Sequence, residues 1–506
     1  MWLTGQKADR ERVVILGSGW AGYTLARQLD SKKYQAVVVS PRSYFAFTPL
    51  LASTSVGTLE FRTALEPIRS RRSKVAYFQG WADAVNFQER TVLIEESVDD
   101  PTVAMAPTAD RLAQKEEQRN KQLKEKKKQR ELFSLAYDKL IIAVGSYSQT
   151  FGTPGVKEHA FFLKDVGDAR RIRNRILGCF EAAALPTTSD EMRWKLLNFA
   201  VVGGGPTGIE FSAELHDIIT EDMVKIYPEL IPFHKIAVYD VADKVLPMFD
   251  EKLGKYAMDT FRREGISIKT RHHVESLRPG SPGREAKDAV EEHACYTLKI
   301  KEEGEVGVGM VVWSTGLMQN PFIAHACRDL RELPERSARL LESGHEASGG
   351  AIWEVRNDAK TGSVVTDDRL RLKLVAKGKG ESDSAKNHEA ILTDVWAIGD
   401  CAILEGSVYP ATAQVASQKA VWLAKRLNKD DIEKEPFSWK NMGVMAYIGN
   451  WKALLQGGGG SGISGRAAWL IWRGAYLTKS VSIRNKILIP IYWVINWIFG
   501  RDISRF

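Results

Sequence analysis

Two glycine-rich turns, 186 residues apart, constrain this chain more than any other feature. Gly17-Ser-Gly19-Trp-Ala-Gly22 follows the apolar run Arg12-Val-Val-Ile-Leu16, and Gly203-Gly-Gly205-Pro-Thr-Gly208 follows Leu197-Asn-Phe-Ala-Val-Val202. Each pattern predicts a buried strand, a tight turn and a helix whose first N–H groups face a pyrophosphate. One such turn alone is a weak signal. Two in the same strand–turn–helix context predict two bound dinucleotides, with electrons passing from one to the other. A chain of 506 residues is also too long for one ordinary core and predicts two or three domains.

Hydrophobic patterning extends both units. In the first, a helix is expected over 21–29, a strand over Tyr34–Val39, an apolar loop over Phe45–Leu51, and a buried strand Leu140–Val144 ending at Gly145. In the second, strands are expected at 199–202, 236–240 and 309–314, closing at Thr315-Gly316. Thr393–Asp400 reads as another buried strand ending in Gly-Asp, and 411–427 as a helix. The stretch 110–131, with nine Lys or Arg and four Glu, reads as a solvated insertion. The segments 278–293 and 334–390, rich in Gly, Ser and charge, read as surface insertions.

Four cysteines with no CxxC and no close pairing argue against a disulfide framework, a redox-active dithiol or a metal site. The net charge of +8 is concentrated at the end of the chain: 466–506 holds seven Lys or Arg against one Asp, with four of the 14 Trp. Basic residues interleaved with Trp and aliphatics suit a segment lying in the interface of an anionic membrane. The region is too apolar for a solvated nucleic-acid face, so no nucleic-acid partner is expected. Its longest apolar stretch, 487–500, has 14 residues where a span needs about 20. The tail is therefore expected to lie on the membrane as amphipathic helices over 469–477 and 483–499. Eleven residues precede the first strand and contain no apolar core of a signal peptide, so targeting is expected from a removed presequence or from elsewhere in the chain.

The two turns differ in their acidic partners. Asp240, 32 residues after Gly208, ends the second strand of its unit. A carboxylate there accepts bonds from ribose hydroxyls and repels a 2′-phosphate, which predicts NADH. After the first turn the corresponding position holds Val39-Ser40-Pro41-Arg42, and no acid is available to identify its nucleotide.

These segments resemble the type II, non-proton-pumping NADH:quinone oxidoreductases of the fungal mitochondrial kind. The resemblance rests on Ile15–Gly22, Ser40–Phe45, Phe47–Leu51, Phe151–Val156, Val202–Glu210, Ala397–Cys401, Pro410–Gln418, Ala446–Gly449 and Gly500–Phe506, in the family's order. It implies an α/β fold of two Rossmann-like dinucleotide-binding domains, the two-dinucleotide-binding flavoprotein fold, followed by a C-terminal membrane-anchoring region. The implied boundaries are 1–160 with 323–435 for FAD, 161–322 for NADH, and 436–506 for anchoring and dimerisation.

The resemblance also implies non-covalent FAD on the first turn, with Ser40, Pro41 and Arg42 in place of the ribose acid, Thr48 and Pro49 near the isoalloxazine, and Asp400 near the ribityl or pyrophosphate. An N-cap of the following helix is the competing role for Asp400. NADH is implied on the second turn, stacked near Glu210 and Thr315-Gly316, so that the cofactors carry the chemistry. Gln414 and Gln418, four apart on one helix face, are implied to border the flavin and the ubiquinone site. Ser417 and Lys419 depart from the residues of relatives. The function implied is NADH oxidation with ubiquinone reduction, by a homodimer peripheral to the mitochondrial inner membrane. The alternatives are an apoptosis-inducing-factor-like flavoprotein acting through partners, and a sulfide:quinone oxidoreductase, which the scattered cysteines disfavour.

Overall fold

Runs of buried aliphatic residues build the first sheet. Val13, Val14, Ile15 and Leu16 are all fully buried, with Val13 and Ile15 in one core cluster and Val14 and Leu16 in another. A strand with apolar neighbours on both faces belongs in the middle of a parallel sheet. Accordingly Glu11–Leu16 pairs in parallel with Tyr34–Ser40 on one side and Lys139–Ile142 on the other. Glu389–Ala397 and Ala76–Asn86 extend the parallel centre, antiparallel strands follow on both sides, and Ala402–Leu404 closes one edge of the 12-stranded sheet in parallel with Val364–Thr366. The computed structural model describes residues 10–71, 73–99, 131–283, 295–326, 330, 332–340, 352–377, 389–460 and 462–505. The charged stretch 110–131 lies outside them except for Glu131, as does Cys327.

The expectation of a surface insertion over 334–390 is corrected. Ser337–Leu340, Ile352–Val355, Val364–Thr366 and Arg371–Lys377 are strands of the large sheet. Val364, Leu372 and Leu374 are fully buried. Lys373, between the two leucines, is 3% exposed and is held by Glu389 at 2.5 Å and Glu405 at 2.7 Å. Its paired charge is what made a buried strand resemble a solvated one. Of 278–293, Arg278 and Pro279 belong to the strand Val274–Pro279.

The second sheet has five parallel strands, in the order Phe161–Phe162, Met310–Trp313, Asn198–Val202, Lys235–Asp240 and Ser267–Thr270. An antiparallel layer, Val274–Pro279, Tyr296–Ile300 and Gly304–Val308, stands beside it. Phe45–Leu51 is more ordered than a loop: the strand Tyr44–Ala46 leads into a 3₁₀ turn, Thr48–Leu50, and a short helix, Leu51–Ser55.

From Val444 a three-stranded hairpin array leads into two helices, Arg466–Lys479 and Ile483–Phe499. The second helix turns two asparagines and Ile489 inward and most of its other aliphatic residues outward. Asn485 donates to Leu65 O at 3.2 Å and Glu66 Oε1 at 2.9 Å, and Asn496 donates to Gly57 O at 3.0 Å and Thr58 O at 2.8 Å. Ile483, Ile487, Ile491, Val494, Ile495 and Ile498 form an exposed stripe with Trp497 and Phe499. Among the described residues, no helix is long and apolar enough to cross a membrane.

Leu374→Ala tests whether 371–377 is core. Removing a fully buried leucine side chain is expected to cost roughly 2–5 kcal/mol in denaturant unfolding. A loss well under about 1 kcal/mol would return the segment to the periphery.

Candidate functional site

Both glycine turns have the same construction. Gly17 and Gly203 have φ of 111° and 114°, which side chains rarely adopt. A methyl added at Gly22 or Gly208 would lie 2.0 Å from the carbonyl oxygen of Gly17 or Gly203, so each helix approaches its strand as closely as backbone allows. Gly17 N donates to Val39 O and Gly203 N to Tyr239 O, both at 2.8 Å, tying each turn to the neighbouring strand. The helices Trp20–Gln28 and Pro206–Ile218 start at Gly19 and Gly205, neither with a side-chain cap. Nothing lies within 4 Å of the Cβ position of either glycine. Uncapped N–H groups facing open space are suited to a pyrophosphate at both turns.

The first turn opens into a cleft of about 1290 Å³. Gly17, Gly19, Ser40, Pro41, Arg42, Thr48, Gly145 and Asp400 all line it, although they come from five separate parts of the sequence. Ser18 Oγ bonds Ser40 Oγ at 2.8 Å, and Arg42 pairs with the buried Asp165, which also accepts from Tyr44 Oη at 2.8 Å. The Thr48 hydroxyl accepts from Trp20 Nε1 at 3.0 Å, and Pro49 is in the 3₁₀ turn behind it. Asp400 is not a helix cap, because Thr412 caps the helix Ala413–Lys429. Its Oδ2 instead accepts from Ser146 Oγ at 3.1 Å. A cleft lined by the uncapped turn, with Gly399-Asp400 packed close to the start of the same helix, fits an FAD.

Sequence reading missed three groups here. Lys164 lines the cleft and donates to Ser146 O at 2.6 Å and Ser146 Oγ at 3.1 Å. Burial pulls its pKa down to about 8, against the pull of Asp400. Asp165 forms a capping box with Asp168 at the start of the helix Val166–Ala184. The Asp-x-x-Asp spacing was a readable signal for that cap, whereas nothing local connects Lys164 to Asp400.

At the second turn, Asp240 ends its strand and accepts from Gly204 N at 2.5 Å and Ala242 N at 2.7 Å, which fixes the carboxylate beside the turn. Thr315 and Gly316 follow the strand Met310–Trp313, and the Gly316 carbonyl accepts from Gln149 N at 3.2 Å. Glu210 is buried under the C-terminal region, where its Oε1 accepts from Tyr447 N at 3.1 Å and Trp472 Nε1 at 3.4 Å. Burial raises its pKa to about 8, the two bonds oppose that rise, and Glu214 adds to it. From Trp472 an aromatic series runs through Tyr476 (4.9 Å) to Phe47 (6.2 Å), next to Thr48. The two halves of the site meet along it.

The helix Ala413–Lys429 contributes differently from expectation. Ala413 and Ala416 line the cleft. The Gln414 carbonyl accepts from Trp439 Nε1 at 3.2 Å and Met442 N at 2.9 Å, and its amide donates to Gly443 O at 3.2 Å. Gln418 exchanges two bonds with the Lys440 backbone, at 2.8 and 3.0 Å. Lys419 turns inward instead, donating to Ala402 O at 3.0 Å, and burial lowers its pKa to about 8.

A second cavity, of about 2060 Å³, lies between the helix Pro206–Ile218 and the two C-terminal helices. Glu214 and Asp217 line it together with Trp469, Trp472, Trp493 and Trp497.

Residues 11–332 match the family described as pyridine nucleotide-disulphide oxidoreductase, and residues 441–502 match the NDH2 C-terminal domain. A probable NADH dehydrogenase of Dictyostelium discoideum is 36% identical, over 99% of this chain and 93% of its own. A mitochondrial external alternative NAD(P)H-ubiquinone oxidoreductase B1 of Solanum tuberosum is 32% identical, over 99% and 91%. Among solved structures, NDH2 from Plasmodium falciparum in complex with NADH superposes with a TM-score of 0.74 at 22% identity, covering 98% of this chain and 100% of that one. With both nucleotide turns, the cleft at the first of them and the C-terminal domain accounted for, the chain belongs to the pyridine nucleotide-disulphide oxidoreductases, in their type II NADH dehydrogenase branch.

Proposed function

We propose that this chain oxidises NADH and reduces ubiquinone through a non-covalently bound FAD. The observation that carries the reading is that two uncapped glycine turns and the C-terminal helix converge on one centre, between Thr48 and Glu210. FAD bound in the cleft supplies a two-electron acceptor for NADH and donor for ubiquinone. The residues bind and orient: the helix Trp20–Gln28 takes the flavin pyrophosphate, and the helix Pro206–Ile218 that of NADH. Asp240 disfavours a 2′-phosphate beside the second turn. The cysteines Cys179, Cys295 and Cys401 are buried and free, which gives no support to sulfide chemistry.

Quinone, in this reading, arrives through the second cavity. Its outer rim includes Trp497, Ile498 and Phe499 of the exposed stripe, and its inner wall includes Trp472, which bonds Glu210. Glu210, held neutral by burial below about pH 8, is suited to hold a proton at Oε2 beside the reacting centre. Gln414 and Gln418 act by fixing the 439–443 segment that leads into the C-terminal domain. The exposed stripe of Ile483–Phe499 lies in the membrane interface of the mitochondrial inner membrane, and a homodimer through the same region is part of this proposal.

Two measurements test the reading. Anaerobic titration with NADH is expected to bleach the flavin absorbance of the purified protein, and a short-chain ubiquinone to restore it. A colourless protein, or equal bleaching by NADPH, would overturn the assignment. The second concerns Glu210, whose folded pKa is raised. The stability it contributes is complete below the ordinary carboxylate range and is lost as pH rises through about 8. Glu210→Gln is therefore expected to be more stable than the native protein near pH 9, on the order of 5 kcal/mol, and nearly equal to it near pH 4. A difference that does not vary with pH would contradict the buried neutral acid.

A further inference from the structure

The helix Val166–Ala184 carries four arginines, and they are disposed unequally. Arg173 turns inward, 3% exposed, to Glu60 and Asp502. Arg171 and Arg175 lie on the opposite side, on one face with Asn174 and Gly178, at helical spacings of three and four. Gly178 leaves space on that face, and the Arg505 guanidinium occupies it, with Nη1 3.5 Å from the Gly178 Cβ position. These residues and Phe161 line a shallow depression open to solvent.

The guanidinium groups of Arg171 and Arg175 are held in place before any ligand arrives. Arg171 lies over the Phe161 ring at 5.8 Å and bonds Asp168 at 3.0 Å, and Arg175 lies over Tyr296 at 5.1 Å and donates to Gly309 O at 2.7 Å. Arg505 is placed by the tail that carries it. Arg501 bonds Glu221 at 2.7 Å and Asp222 at 2.6 Å, and Asp502 pairs with Arg173 at 3.5 Å. Asp168 is the acid ion-paired with Arg171. Planar forks converging from two chain segments match the oxygens of a phosphate better than those of a monodentate anion.

The position favours a lipid as the carrier. Arg505 is five residues beyond Gly500, which ends the helix whose Trp497, Ile498 and Phe499 are exposed. Five residues span at most about 18 Å, so the depression lies within headgroup reach of that apolar end. We propose that Arg171, Arg175 and Arg505 form a binding site for a phosphate group, carried by an anionic phospholipid headgroup or by a free phosphate ester.

The test uses the full chain as the flavoenzyme, in three forms: native, Arg171→Gln with Arg505→Gln, and Arg262→Gln with Arg263→Gln. The last pair removes the same charge from the distant helix Glu251–Arg263, where both arginines are exposed. Sedimentation with vesicles of phosphatidylcholine, with and without phosphatidylglycerol, measures preference for anionic lipid. Thermal unfolding with and without glycerol 3-phosphate measures the soluble ligand. A lipid ligand predicts that the first pair loses anionic preference on the order of twentyfold while the control pair changes little. A free phosphate ester predicts that the first pair loses the glycerol 3-phosphate stabilisation and keeps its vesicle preference. If the first pair behaves like the control in both assays, the proposal is wrong. Should the double variant fail to fold, Arg505→Gln alone, at an exposed position, is expected to lose about fivefold in whichever assay the native protein responds to.

Discussion

Glu210 and Glu214, one turn apart on the helix Pro206–Ile218, are the points where the parts of this protein are fastened together. Glu214 accepts from Ser53 and Thr58 of the first nucleotide unit, each at 2.6 Å. Glu210 accepts from Tyr447 and Trp472 of the C-terminal domain. Asp217, further along, accepts from Tyr447 Oη at 2.5 Å. A single helix is therefore bonded, through buried acids, to everything that must surround the reacting centre. Burying such groups is costly unless every oxygen finds a partner, so the arrangement is stable only when all three parts dock in register. Apolar contact alone would hold the parts together but would tolerate sliding between them. Directional bonds to buried acids do not, and an exchange between two cofactors requires that intolerance.

The same docking accounts for what could be read from the sequence. The glycine turns and their strands were legible because their determinants are local: four aliphatic residues in a row, a glycine with positive φ, and a glycine packed on a carbonyl. The helix Ile483–Phe499 was legible to the residue. The strands of 352–377 were not, because they lie in a stretch rich in Gly, Ser and charge, and the acids that neutralise Lys373 are 16 and 32 residues away. Gln414 and Gln418 show the limit most clearly. Their spacing correctly puts them on one helix face, yet which loop that face meets depends on the path of 439–443, which nothing near them encodes.

The contrast between Lys164 and Lys419 makes a related point. Both are buried cations near Asp400, and burial lowers the pKa of both to about 8. Lys164 reaches the cleft through Ser146, while Lys419 is fixed behind it to a backbone carbonyl. Both feel the charge of the same carboxylate, Asp400, from different hydrogen-bonded positions. A substitution that reads as a departure from relatives in the sequence becomes, in three dimensions, part of the support beneath the nucleotide.

Asn485, Ile489 and Asn496 point into the protein, while Ile483, Ile487, Ile491, Ile495 and Ile498 of the same helix are exposed. The helix is thus held to the rest of the fold by the asparagine bonds and by Ile489, and its exposed isoleucines take no part in holding it. Integrity of the fold consequently does not depend on what covers that stripe. The molecule in solution carries a bare greasy ridge, and its colloidal behaviour is governed by whatever detergent or neighbour comes to cover it.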